Sequence, residues 1–120
     1  MYGHGVSSTP SYADTLAVLD RVGRALSDGT RRRILLRLAD APAYPADLAL
    51  HLGASRPAVS NHLACLRDCG LVVADAEGRR VRYRLADDRL AHALLDLAGL
   101  SLHPAPGHRA AESDPESVAG

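Results

Sequence analysis

The sequence predicts a mostly α-helical domain with one small β-hairpin, in the order α-α-α-α-β-β-α. Three observations carry that prediction. Apolar residues recur at three- and four-residue spacing through successive stretches up to Leu66. Residues 79–85 then switch to strict alternation, with Val81, Tyr83 and Leu85 on one side and Arg80, Arg82 and Arg84 on the other. After Ala86 the helical spacing returns and runs to Leu102.

Each element has its own local reason. Leu16, Leu19, Val22 and Leu26 place a first helix over about Asp14 to Leu26. Ser27-Asp28-Gly29-Thr30 is a turn whose polar side chains cap a second helix, Arg31 to Asp40, with Ile34, Leu35 and Leu38 inward. Ala41-Pro42-Ala43 breaks it, and a short third helix runs from about Pro45 to Leu52. A tight turn through Gly53 leads to a fourth helix, capped by Ser55 and stopped by Gly70, with Val59, Leu63 and Leu66 as its apolar stripe. Residues 71–76 and 79–85 flank Glu77-Gly78 as a hairpin. A last helix spans Asp87 to Leu102, apolar around most of its circumference, and such a helix on a small chain wants a second surface to cover it. We therefore expect the first and last helices to form a twofold homodimer interface. A short helix, a tight turn and a helix, followed by a cationic hairpin, make a winged helix-turn-helix.

Composition bounds the rest. The 120 residues make one domain (13–102), with a flexible arm (1–12) and a flexible tail (103–120) expected from Gly, Ser, Pro and acidic content. There is no Phe or Trp, so the core must be Leu, Val, Ile and Ala. No apolar run is long enough to span a membrane, and residues 1–7 have neither the basic head nor the apolar core of a signal peptide. Two cysteines four apart then read as reduced thiols of a cytoplasmic protein. Net charge is zero, yet every basic residue is Arg, and between Ser55 and Ala86 arginines outnumber acids. A local basic surface on a neutral chain suits double-stranded DNA as the partner.

The fourth helix carries the functional expectations. Opposite its apolar stripe lie Pro57, Ser60, Asn61, Ala64 and Asp68, a face narrow enough for a major groove. Arg56, Ser60 and Asn61 can reach base edges or phosphates, and Arg79, Arg80 and Arg82 of the hairpin can lie along the backbone. His62 is read as a backbone contact or a structural residue. Between the core and the groove-facing side stand Cys65 and Cys69, whose i, i+4 spacing points both sulfurs the same way. Thiolates select soft or borderline divalent metals, and both residues also fit as small, half-buried hydrophobes. The remaining Ser, His and Asp groups suggest no enzyme: there is no Gly-rich phosphate loop and no HExxH phrase.

The order of elements, with Asp28-Gly29-Thr30-Arg31-Arg32-Arg33-Ile34-Leu35, Ser60-Asn61-His62-Leu63 and Gly78-Arg79-Arg80-Val81-Arg82-Tyr83, resembles the ArsR/SmtB family of winged-helix repressors over roughly residues 14–102. The resemblance implies a homodimer on an imperfect palindromic operator that is released when a metal ion binds. Cys65-Leu66-Arg67-Asp68-Cys69-Gly70-Leu71-Val72-Val73 is most similar to the cadmium- and lead-sensing actinobacterial branch, which adds a tail cysteine to the helix pair. This chain has no third Cys, which makes His103 or His108 the candidate replacement beside Cys65 and Cys69. A second arrangement resembles the family's interfacial site: His92 and His103 on one line of the last helix, with Asp96 nearby and His4 available from the arm. That set favours nickel or zinc over cadmium. A thiol redox sensor, a metal-independent DNA-binding regulator and a protein-interaction module remain the alternatives.

Overall fold

The computed structural model describes residues 9–106. His4 and His108, and most of the expected arm and tail, lie outside the described residues. The elements are α1 (Tyr12–Leu26), α2 (Gly29–Asp40), α3 (Pro45–Leu52), α4 (Arg56–Asp68), β1 (Val72–Glu77), β2 (Arg80–Leu85) and α5 (Asp88–Ala98). The expected order is therefore the observed one.

Caps fix where the helices begin. The Ser11 hydroxyl accepts from the Asp14 N–H at 3.0 Å, and the Asp14 carboxylate accepts from the Ser11 N–H at 3.3 Å. This reciprocal box starts α1 at Tyr12, two residues before the apolar spacing alone suggested. Asp28 caps α2 by accepting from the Arg31 N–H at 3.0 Å, so the turn expected at Gly29-Thr30 is already helix. Ser55 caps α4 through the Ala58 N–H at 3.1 Å. Gly53, at φ 65°, takes the left-handed conformation that ends α3 and turns the chain into α4.

The second helix is the hub. It packs on α1, α3, α4, β2 and α5. Ile34 and Leu35 of α2, Leu48 of α3, and Val59, Leu63 and Leu66 of α4 are the large side chains fully excluded from water. Each such burial is worth roughly 1.5–3 kcal/mol, so this cluster fixes how α4 is presented. The hairpin is antiparallel, with Val72 opposite Leu85 and Glu77 opposite Arg80, and turns through Gly78 at φ 63°. A short bridge anchors it: Ala43 N–H donates to Tyr83 O at 3.0 Å and Tyr83 N–H to Ala43 O at 2.8 Å. The wing is thereby tied to the connection between α2 and α3.

The outer helices are different. Ala25 is the one buried residue of α1, and Leu94 the one of α5. Leu16, Val18 and Leu19 on α1 and Leu95 and Leu97 on α5 stand open to water. The last helix is also shorter than its apolar pattern implied. Gly99 is its C-cap, and Leu100, Ser101, Leu102 and His103 lie outside any helix. Glycine ends the helix, and Pro104 disfavours helical backbone at His103.

Candidate nucleic-acid interface and thiol pair

The outward face of α4 is open. Arg56, Pro57, Ser60, Asn61, Ala64, Arg67 and Asp68 are all exposed, while Val59, Leu63 and Leu66 are buried behind them. Nothing of the described chain covers the side expected to enter a groove. The charge-neutral polar groups of Ser60 and Asn61 sit mid-face, flanked by the guanidinium of Arg56 at the N-terminal end.

Next to that end, Tyr44, Arg56, Arg79 and Arg80 line one open cleft between the starts of α3 and α4 and the hairpin tip. The Arg80 guanidinium lies over the Tyr44 ring, 3.5 Å from its centroid. The Tyr44 hydroxyl donates to Glu77 Oε1 at 2.5 Å, and this bond to a carboxylate pushes the phenol's pKa up. Sequence reasoning passed over Tyr44. The available signal was an aromatic side chain directly before the Pro that starts a helix, in a chain with only four aromatic residues.

The cationic strand face is less free than its alternation implied. Arg82 Nε lies 3.1 Å from Glu77 Oε2, and Arg84 Nε donates to Asp75 Oδ2 at 2.8 Å. Both are diagonal cross-strand pairs, since the register sets Arg82 opposite Asp75. Of the three hairpin arginines expected on phosphates, Arg79 and Arg80 carry no ion pair among the described residues, and Arg82 lies beside Glu77.

His62 is held inward. Its Nε2 lies 3.7 Å from Asp28 Oδ2, and its Nδ1 lies 3.5 Å from Arg31 Nη1. The ring is half-buried and braces α4 against the start of α2, which fits the structural of the two roles read for it. Asp28 is held below the usual carboxylate range, chiefly by the Arg31 N–H and further by the charges of His62 and Arg31. Arg31 itself donates to Ala25 O at 3.2 Å and Arg24 O at 2.9 Å, and Arg32 to Leu26 O at 2.8 Å. These arginines close the C-terminal carbonyls of α1, a role their sequence position did not reveal.

Cys65 is half-buried and Cys69 is buried; both are free thiols. Cys69 is the C-cap of α4, and its carbonyl accepts from Arg21 Nε of α1 at 3.0 Å. Cys69 therefore sits where the end of α4 meets α1, packed among core residues, and Cys65 lies one turn earlier on α4. Among the described residues, no three His, Cys, Asp or Glu side chains gather as a metal cluster. The structure does not bring His103 to the thiols. The line joining His92 to His103 is also corrected: it needed a continuous helix, and α5 stops at Ala98. His92 and Asp96 share α5, both exposed.

Comparison with known proteins places this architecture. Residues 28–73 match the model of the "Bacterial regulatory protein, arsR family". The NMR structure of the cadmium metal-sensor CmtR from Mycobacterium tuberculosis is 54% identical, covering 75% of this chain and 99% of that one, at a TM-score of 0.60. The chain belongs to the arsR family. A homodimeric winged helix-turn-helix DNA-binding domain from Mycobacterium bovis, described as a possible ArsR-family regulator, is 32% identical over 76% of this chain and 86% of that one, at a TM-score of 0.67. An ArsR-like transcriptional regulator from Rhodococcus is 39% identical over 73% of this chain and 81% of that one, at a TM-score of 0.58. Among curated sequences, the HTH-type transcriptional regulator CmtR of M. tuberculosis matches at 55% identity over 40 residues, a third of this chain. That match spans about a third of the curated relative's length, 34%. These arsR-family relatives are named as regulators, not as enzymes. No described helix is long and apolar enough to cross a membrane.

Proposed function

We propose that this chain is a homodimeric transcriptional regulator that holds an imperfect palindromic DNA operator and lets it go when a soft or borderline divalent metal binds at Cys65 and Cys69. The observation that carries the reading is that an open polar face, a cationic cleft and two thiols all lie along or beside one helix. The open face of α4 offers Arg56, Ser60 and Asn61 to a groove, its start borders the Arg79 and Arg80 cleft, and its end bears both thiols. The unpartnered apolar sides of α1 and α5 support the dimer, as does the homodimeric M. bovis relative.

The donor set fits a thiophilic ion in part. Cys65 and Cys69 supply two sulfurs from one helix face, and His103 or His108 is the candidate for the rest. Such an ion supplies the free energy that favours deprotonated thiols turned toward one another. Cys69 is buried, so coordination there draws on a core residue whose carbonyl Arg21 holds. Disturbing that bond loosens the end of α4 from α1, which shifts the groove-facing side relative to its dimer mate. Because the coupling is reciprocal, DNA must weaken metal binding by the factor by which metal weakens DNA binding.

Ultraviolet absorption on cadmium addition tests the site, and duplex binding measured with and without cadmium tests the response. Sulfur-to-metal charge transfer in the wild type that disappears in Cys65→Ser and Cys69→Ser supports the thiol site. Tight duplex binding that ignores cadmium, lead, zinc and nickel alike removes the sensing half of the proposal. A response to nickel without sulfur absorption moves the site to His92 and Asp96.

A further inference from the structure

The hairpin register poses a question about charge. Glu77 stands directly opposite Arg80, so the expected cross-strand ion pair is Glu77 with Arg80. The structure shows something else. One carboxylate oxygen of Glu77 accepts from the Tyr44 hydroxyl, and the other lies beside Arg82. Arg80 is diverted onto the face of the Tyr44 ring and carries no ion pair among the described residues. A guanidinium covering a ring keeps its in-plane N–H donors, the ones that grip an oxyanion two at a time. Those donors border the same cleft as Arg56 and Arg79. Three cationic side chains from α4 and the hairpin thus line one cleft, while the carboxylate opposite Arg80 is engaged by Tyr44 and Arg82.

We propose that this cleft seats one backbone phosphate of duplex DNA and that Tyr44 is the positioning residue that keeps Arg80 available to it. The proposal rests on the DNA-binding reading above and adds a residue outside the groove-facing helix. Tyr44 acts twice. Its ring orders the Arg80 side chain, and its hydroxyl holds Glu77 off, so that phosphate rather than Glu77 becomes the partner of Arg80. Removing Tyr44 frees Glu77 to pair with the arginine opposite, and the phosphate contact is lost although Arg80 is still present.

The test is fluorescence anisotropy of the full chain with a mixed-sequence duplex over a salt series, which counts neutralised phosphates. Each lost phosphate contact makes the slope of log K against log salt shallower by about 0.9. Arg80→Ala is expected to shallow the slope by that amount. Tyr44→Leu should do the same and weaken binding about three- to fivefold, the scale of an exposed cation–π contact. Tyr44→Leu combined with Arg80→Ala should be no weaker than Arg80→Ala alone. Adding Glu77→Gln to Tyr44→Leu should restore the wild-type slope, an effect no general damage to the fold produces. Tyr44→Phe keeps the ring and the helix start, and should shallow the slope in the same direction. An unchanged slope in Tyr44→Phe, or additive losses in the double variant, overturns the role of Tyr44 while leaving DNA binding intact. A wild-type chain that binds no duplex overturns both readings.

Discussion

The middle of the molecule and its two outer helices obey different rules. In α2, α3 and α4 the apolar stripes face one another, and Ile34, Leu35, Leu48, Val59, Leu63 and Leu66 are shut off from water. In α1 and α5 the same kind of stripe faces outward, with Leu19 59% and Leu97 54% exposed. The difference teaches that one chain completes its reading module but not its own fold. The helix proposed to face DNA is fixed by intrachain packing, whereas the outer helices present an apolar surface suited to the proposed dimer.

That contrast can be broken at either end. The largest effect is expected from Leu66→Ala, which opens a cavity behind α4 and costs about 2–5 kcal/mol in denaturant unfolding. A value under 1 kcal/mol would mean that the middle is not the stability centre. Next comes Leu95→Asp with Leu97→Asp on α5. Sedimentation should show a shift to monomer, with far-ultraviolet circular dichroism unchanged, because neither side chain supports the intrachain core. Loss of helix content instead would erase the distinction between the two regions.

Asp28→Ala sharpens the boundary between them, since this carboxylate caps α2 and faces His62 of α4. The loss should be about 1 kcal/mol at neutral pH, typical of an N-cap. Its folded pKa is lowered, so its contribution is present in full above the ordinary aspartate range near pH 4 and fades as pH falls through the lower folded value. The variant and the wild type should therefore converge in stability as the solution is acidified. Smallest is Asp75→Asn on the hairpin. Removing the half-exposed pair with Arg84 should cost well under about 1 kcal/mol in a thermal melt, yet it should strengthen duplex binding by releasing a cation.

Much of this was legible in the residues because periodicity and caps are local. The stripes Ile34-Leu35-Leu38 and Val59-Leu63-Leu66, the Ser55 cap and the Gly78 turn all follow from neighbours in sequence. What was not legible depends on residues far apart. Arg21 reaching the Cys69 carbonyl, His62 lying between Asp28 and Arg31, and Tyr44 meeting Glu77 each join separate elements. Alternation told which face Arg80, Arg82 and Arg84 share, but not that Asp75 and Glu77 share it too. The apolar run through Leu100 and Leu102 promised a longer final helix, because hydrophobic spacing carries no information about the stop at Gly99. Of the thiol pair, spacing gave the common direction of the two side chains, while the burial of Cys69 could come only from packing.

The self-paired hairpin has a consequence for affinity. Asp75 and Glu77 sit beside Arg84 and Arg82 in the place a polyanion's oxygens would take. Meeting a nucleic acid is then a swap of one acid for another, with little gained and little lost at each position. On the DNA-binding reading proposed above, Arg82 and Arg84 would add little to affinity, and discrimination between duplexes would fall to the helix beside the hairpin.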